Sequence, residues 1–379
     1  MRLSRLAFVL LALSILAGCA RHRAAEAAAD LAPRKNWRLI PQAIHASMNA
    51  DDLAPLKDGK SCTWNASFPG QPWFALRLPE RRKGPAMVTF EYREQPTNAS
   101  LLVEVSSDST NGFDGNWTQL ADPRRLGTRL DKAIVEADQG PWVRLQLLRI
   151  DKSLVPAELK IINIGAYQLD PAGRNDYWVA LGASIQAQSL RQEVFHAMVT
   201  ERFPEYDPVL FNTAVGGWTS ANLLANLPRI IDEHPHARYM TIHIGGNNVS
   251  RDRPYPGGAG ELRDDLIAIL SLIQEAGKIP ILSRLSYRAY RETATRPGVP
   301  PEENGSGPYV TAIFDPLIMQ YCPLFYDWEN ARGMVDAYGW FREHQDELSP
   351  DGVHVNPKGQ ASWNRLWAEH AGGVIYGAR

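Results

Sequence analysis

The chain has 379 residues, 44% hydrophobic and 22% charged, a balance that suits a folded globular protein with room for two cores. Its formal net charge of −2 leaves no basic footprint for nucleic acid or for an anionic membrane surface. The three cysteines form no CxxC or Cys/His cluster, so no zinc site is expected; no cofactor is expected either.

The first 19 residues read as a targeting segment. Arg2 and Arg5 precede an apolar run, Leu6 to Ala17, that is too short to span a bilayer. The run ends in Leu16-Ala17-Gly18-Cys19, which resembles the bacterial lipoprotein processing signal. That resemblance implies lipidation at Cys19, with Ala20 after it favouring the outer membrane. Residues 20–36 are polar and Ala-rich and read as a tether. Of the other two cysteines, Cys62 and Cys322 either pair or remain buried free thiols.

Residues 37–172 read as β. Val88 to Glu94, Ser100 to Asp108, Trp142 to Ile150 and Glu158 to Leu169 alternate or run apolar, with turn-forming stretches between them. The spacing predicts a sandwich or jelly roll. The segments around Trp64, Trp73 and Trp117, with the last two strands, resemble the galactose-binding-like (discoidin or F5/8 type C) domains. Trp64, Trp73, Trp117 and Trp142 can stack on sugars or pack in a core; Trp64 and Trp117 are expected in the core.

Residues 173–379 alternate strand and helix. Strands are predicted at Tyr177 to Gly182, Asp207 to Val215, Arg238 to Gly246, Lys278 to Ser286 and Pro323 to Trp328. Helices are predicted over Ser189 to Val199, Ser220 to His234, Gly260 to Gly277, Pro308 to Cys322 and Pro357 to Gly372. This order predicts a parallel sheet covered on both faces, with a site at the carboxyl ends of its strands.

Polar chemistry gathers at those ends. Ser184 follows the first strand, Gly216-Gly217 the second and Asn247-Asn248 the third, and Asp351 and His354 share a late loop. A serine becomes nucleophilic when a base such as His354 takes its proton, and a carboxylate such as Asp351 fixes the base's tautomer. The N–H groups of Ser184 and Gly217 and the amide of Asn247 suit an oxyanion hole. Taken singly, each feature is also an ordinary turn or helix cap.

The ordered blocks Gly182-Ala183-Ser184, Asn212 to Ser220, Gly245 to Asn248 and Asp351 to His354 resemble those of the SGNH (GDSL) hydrolases. The resemblance implies a three-layer α/β/α domain with Ser184 as nucleophile, His354 as base and Asp351 as its partner. It implies an oxyanion hole of Ser184, Gly217 and Asn247. Three positions depart from the pattern: Ala183 replaces the usual Asp, Ala214 a Gly and Asn248 an Asp. The G-x-S-x-G elbow is absent, since Gln186 stands at its second glycine.

His243 lies inside a strand and is expected to be packed, whereas His196, His234, His236 and His344 are expected to be solvated. Trp218, directly after Gly217, and Tyr287 are candidate substrate contacts; Arg284, Arg288 and Tyr290 share the loop of Tyr287 and either meet a polar substrate or lie in solvent. The expected function is a serine esterase that removes short acyl groups, acetyl above all, from a carbohydrate in the bacterial envelope. An O-acetyltransferase, a lipase or thioesterase, and a non-catalytic glycan-binding lipoprotein are the rival readings.

Overall fold

The computed structural model describes residues 31–35, 37–58, 64–67, 72–80, 82–93, 99–120, 124–125, 129–149, 158–249, 258–288, 306–326 and 334–377. Cys19, Cys62 and Tyr290 lie outside the described residues. The chain forms two compact units: Asn36–Gly173, and the flanking segments up to Lys35 and from Arg174 onward.

In the first unit, β1 (Ala43–Ala46), β3 (Trp73–Arg77), β9 (Trp142–Arg149), β5 (Ala99–Ser106) and β6 (Thr118–Gln119) pair antiparallel in that order, with β7 (Arg124–Arg125) also on β5. A second sheet runs β2 (Trp64–Ser67), β10 (Glu158–Gln168), β4 (Ala86–Tyr92) and β8 (Leu130–Val135). Alternate residues of the first sheet, Phe74, Leu76, Val143, Leu145, Val103 and Val105, share one core with Val88, Phe90, Ile164 and Trp64 of the second. Two inner faces that meet in one core define a sandwich.

Trp64 and Trp142 are buried. Trp117 departs from the core placement expected of it. It lies half-buried beside the exposed edge strand β6, with the Arg144 guanidinium 4.1 Å over its ring. Arg144 also pairs with Glu104 on the neighbouring strand, so its face is the polar one and the core lies opposite.

The second unit is built on one parallel sheet in the order β12 (Val209–Asn212), β11 (Tyr177–Gly182), β13 (Tyr239–His243) and β14 (Ile279–Leu282). Near-continuous apolar strands suit a sheet covered on both faces. Its helices are α1 (Ser184–Ser189), α2 (Gln192–Arg202), α3 (Ser220–Glu233), α4 (Ala259–Glu275), α5 (Asp315–Tyr321), α6 (Ala337–Glu343), α7 (Pro357–Leu366) and α8 (Gly372–Gly377). The helix predicted over Ser189 to Val199 is broken at Leu190 and Arg191, and the closing helix runs past Gly372 through a π turn at Trp367–Ala371.

Pro323–Phe325 is a 3-10 turn where a strand was expected; Pro323 has no N–H to give a ladder. Cys322 before it is a buried free thiol, pushed up to about 12 by burial.

Residues 31–35, inside the stretch read as a tether, pack on this second unit. Leu31 is buried, its carbonyl accepts the Tyr239 hydroxyl, and Arg34 N donates to Arg174 O at 2.7 Å. Pro33 is buried as well, and Lys35 pairs with Glu205, so the strap is seated by more than its leucine. The chain thus enters and leaves the β unit from two adjacent points.

Candidate active site

The chain crosses from β11 to β12 on one side and then to β13 on the other, so β11 sits at a topological switch point. A crevice opens beyond the carboxyl ends of strands at such a point. Ser184, Gly217 and Asn247 follow β11, β12 and β13 respectively.

Gly182 is the last residue of β11, and a Cβ there would lie 2.3 Å from the His243 carbonyl of the adjacent strand, so the position calls for glycine. The chain then turns, and Ser184 opens α1, where the first N–H groups of a helix have no intrahelical acceptor. The Ser184 hydroxyl lies 2.8 Å from His354 Nε2, and His354 Nδ1 lies 2.6 Å from Asp351 Oδ2. The other Asp351 oxygen accepts the backbone N–H groups of Val353 and His354 at 2.8 and 3.0 Å. Partial burial draws the Asp351 carboxyl upward, but the His354 ring and these two N–H groups outweigh it and hold it at about 2. The carboxylate therefore stays charged and oriented whenever the imidazole acts.

Gly217 has φ +83°, the left-handed region, and its backbone is exposed beside the turn. A Cβ on Gly216 would come within 3.9 Å of the Ser184 Cβ, which places this turn against the serine. The Asn247 amide donates to Trp218 O at 2.8 Å. That bond uses one of its two N–H groups and fixes the direction of the other. The structure therefore brings Ser184, His354 and Asp351 into one hydrogen-bonded line, and clasps the Asn247 turn to the Gly217–Trp218 turn.

A serine, a histidine and a carboxylate in one hydrogen-bonded line is an arrangement that serine acylhydrolases use. Residues 180–361 match the model of the GDSL-like Lipase/Acylhydrolase family. They form a GDSL-like hydrolase domain.

Solved structures similar to the chain include a lipase/acylhydrolase from Enterococcus faecalis, 20% identical, covering 51% of this chain and 93% of that one at a TM-score of 0.38. An acetyl xylan esterase, AlAXEase, is 14% identical and covers 50% of this chain and 96% of that one at a TM-score of 0.39. Protein YXIM from Bacillus subtilis is 12% identical and covers 89% of this chain and 91% of that one at a TM-score of 0.43. No curated protein sequence matches significantly.

Within the GDSL-like domain, the turn that carries Ser184 is held from three sides. Gln186 is fully buried, donates to Thr241 at 3.2 Å and accepts from the Trp363 indole at 3.0 Å. Asn212 donates to the carbonyls of Gln186 and Leu190 at 2.7 and 2.8 Å. The side chain that rules out a G-x-S-x-G elbow is thus a fastening between α1, β13 and α7. Ala183 occupies the N-cap of α1 and offers no side-chain bond, and Ala214 has no positive φ that would call for glycine.

His243 is buried, bonded through Nδ1 to Ser283 at 2.8 Å and edge-on to Trp363. Burial, with Arg288 nearby, pulls it down to about 3, so it stays neutral. His234, expected in solvent, is buried at the end of α3 against the Tyr177 hydroxyl. His196 pairs with Asp207, and His344 stacks on Trp340 at 4.1 Å.

Arg284 is locked to Asp315 by two bonds of 2.7 and 2.8 Å and to Asp336 by a third of 3.1 Å. Arg288 is buried against Gly246. Trp218 is half-buried on the turn beside Asn247, and Tyr287 packs edge-on against Tyr338.

A cavity of about 590 Å³ lies beyond β14, with Arg284, Asp336, Tyr338 and Arg342 in its lining. None of Ser184, Asp351 or His354 is among its described lining residues. The cavity is therefore lined by residues other than those of the Ser184–His354–Asp351 line. Among the described residues, no group of three or more His, Cys, Asp or Glu side chains could hold a metal ion.

Proposed function

We propose that the protein is a serine esterase that removes short acyl groups, acetyl above all, from a carbohydrate. The observation that carries this reading is the line Ser184 Oγ–His354 Nε2–His354 Nδ1–Asp351 Oδ2, at 2.8 and 2.6 Å.

In the proposed cycle, His354 Nε2 takes the Ser184 proton as Oγ attacks the ester carbonyl. Asp351 stabilises the imidazolium. The oxyanion is held by the N–H groups of Ser184 and Gly217 and the amide of Asn247. Collapse breaks the bond to the sugar oxygen, which leaves with the proton from His354. Water, deprotonated by the same imidazole, then attacks the acyl-Ser184 and releases the acid.

The carbohydrate preference rests on the companion β unit, whose sequence resembles sugar-binding domains. The anchor is also part of the proposal: lipidation at Cys19 would hold the enzyme in the bacterial envelope, and the outer membrane is the favoured site.

The test is acetyl release from acetylated xylan, pectin, peptidoglycan and model esters by purified protein, with an acyl-chain-length series. Ser184→Ala is expected to lower kcat by a factor on the order of 10⁴ or more. Full activity in that variant would falsify the mechanism, and a rate maximum at long chains would replace the substrate class with lipids.

A further inference from the structure

Where the SGNH pattern has an aspartate, this chain has Asn248. The amide is tied to the opposite turn by two bonds. Asn248 Oδ1 accepts the Ser220 N–H at 3.0 Å, and Asn248 Nδ2 donates to the Ser220 hydroxyl at 2.8 Å. Ser220 is fully buried, and its hydroxyl donates a hydrogen bond to Asp265 Oδ2, on α4, at 2.6 Å. Asn248 follows Asn247, and Ser220 lies three residues after Gly217. The relay therefore joins the two turns that carry the oxyanion donors, alongside the bond from Asn247 to Trp218 O.

The directions of these bonds are forced. Ser220 has one hydroxyl proton, and a carboxylate accepts only. With Asp265 as the acceptor, the group on the other side of Ser220 must donate, which an amide does and a carboxylate does not. We infer that Asp265 is a positioning residue: it supplies from α4 the carboxylate missing at position 248, and through Ser220 and Asn248 sets the spacing of Gly217 and Asn247. The inference rests on the esterase reading of the site.

The relay is tested by swapping the charge across Ser220. Asn248→Asp alone sets two carboxylates on one proton. It is expected to lower kcat about ten- to a hundredfold with KM within about twofold, since donors moved by a fraction of an ångström miss the developing charge. Asp265→Asn alone is expected to cost a few-fold, because its amide oxygen still accepts the Ser220 proton in a weaker neutral bond. The double variant, Asn248→Asp with Asp265→Asn, reverses the relay: the amide now donates from α4 and the carboxylate accepts on the turn. It is expected to recover most of the activity lost in Asn248→Asp.

Equal losses in the double variant and in Asn248→Asp, or wild-type kinetics in Asn248→Asp, would overturn the inference. If the wild-type protein proves inactive on every ester and unlabelled by a serine-directed phosphonate, the esterase reading fails, and the positioning claim fails with it. The reversal of the bonds is then still read from the thermal midpoints, expected to fall in Asn248→Asp and recover in the double variant.

Discussion

Asp176, at the foot of β11, is fully buried. One of its oxygens accepts the Trp178 indole at 2.9 Å and the Tyr376 hydroxyl at 2.6 Å. Burial drives its carboxyl up to about 7, the two hydrogen bonds oppose this, and nearby Asp207 adds to it. An unfolded aspartate titrates near 3.9, so from about pH 4 to about 7 the folded chain holds a proton that the unfolded chain has lost. Stability should therefore fall as pH rises through that window, by an amount on the order of a few kcal/mol, and level off above it. Asp176→Asn should remove the slope. Urea midpoints of both proteins at pH 4.5, 6 and 7.5 check this; parallel curves would refute it. At this scale the sequence was legible where geometry is local. Asp351 and His354 stand one turn apart on a single loop, and their mutual bond follows from that spacing. Asp265 was illegible: it lies 45 residues from Ser220 on a helix, and nothing in its neighbourhood marks it. His234 was misread for the same reason, since its partner Tyr177 is 57 residues away on a strand.

Among the elements, α1 is a helix of only six residues that opens at Ser184, and its N-cap is an alanine in extended conformation with no capping bond. A serine at that position can accept the Gln186 N–H, and such caps contribute roughly 1 kcal/mol. Ala183→Ser should raise the thermal midpoint by about 2–4 °C if the unit unfolds as one transition. An unchanged or lower midpoint would mean that the Gln186 and Asn212 fastenings already fix the turn. The strand–helix alternation was readable because buried parallel strands and amphipathic helices have different periods. The turn at Pro323 and the break at Leu190 were not, because a short apolar run fits strand, turn or helix until its neighbours decide. Trp117 shows the converse: a large ring reads as core, yet an arginine across an edge strand can cover it at the surface.

The whole molecule is one unit interrupted by another. Arg34 and Arg174 are hydrogen-bonded backbone neighbours, so joining residue 35 to residue 174 by a short glycine linker and deleting 36–173 should leave the GDSL-like domain folded. The expected result is a cooperative melt and, on the proposed function, retained hydrolysis of small model esters. Loss of the melt in the shortened chain would show that the β unit is needed for folding. The two-part division was legible from the change of period near residue 173, but the strap at 31–35 was not, because two buried residues, Leu31 and Pro33, are too few to leave a pattern.

That strap sets a leash. If Cys19 carries the lipid, Leu31 follows only twelve positions after it. An extended chain spans at most ~3.3–3.6 Å per residue, so the point of attachment lies within roughly 40 Å of the bilayer. On that premise it would be the hydrolase unit, through Leu31 and Tyr239, that is moored at this distance. Such an enzyme would work a thin shell of the envelope beside its own membrane, and esters farther out would have to come to it.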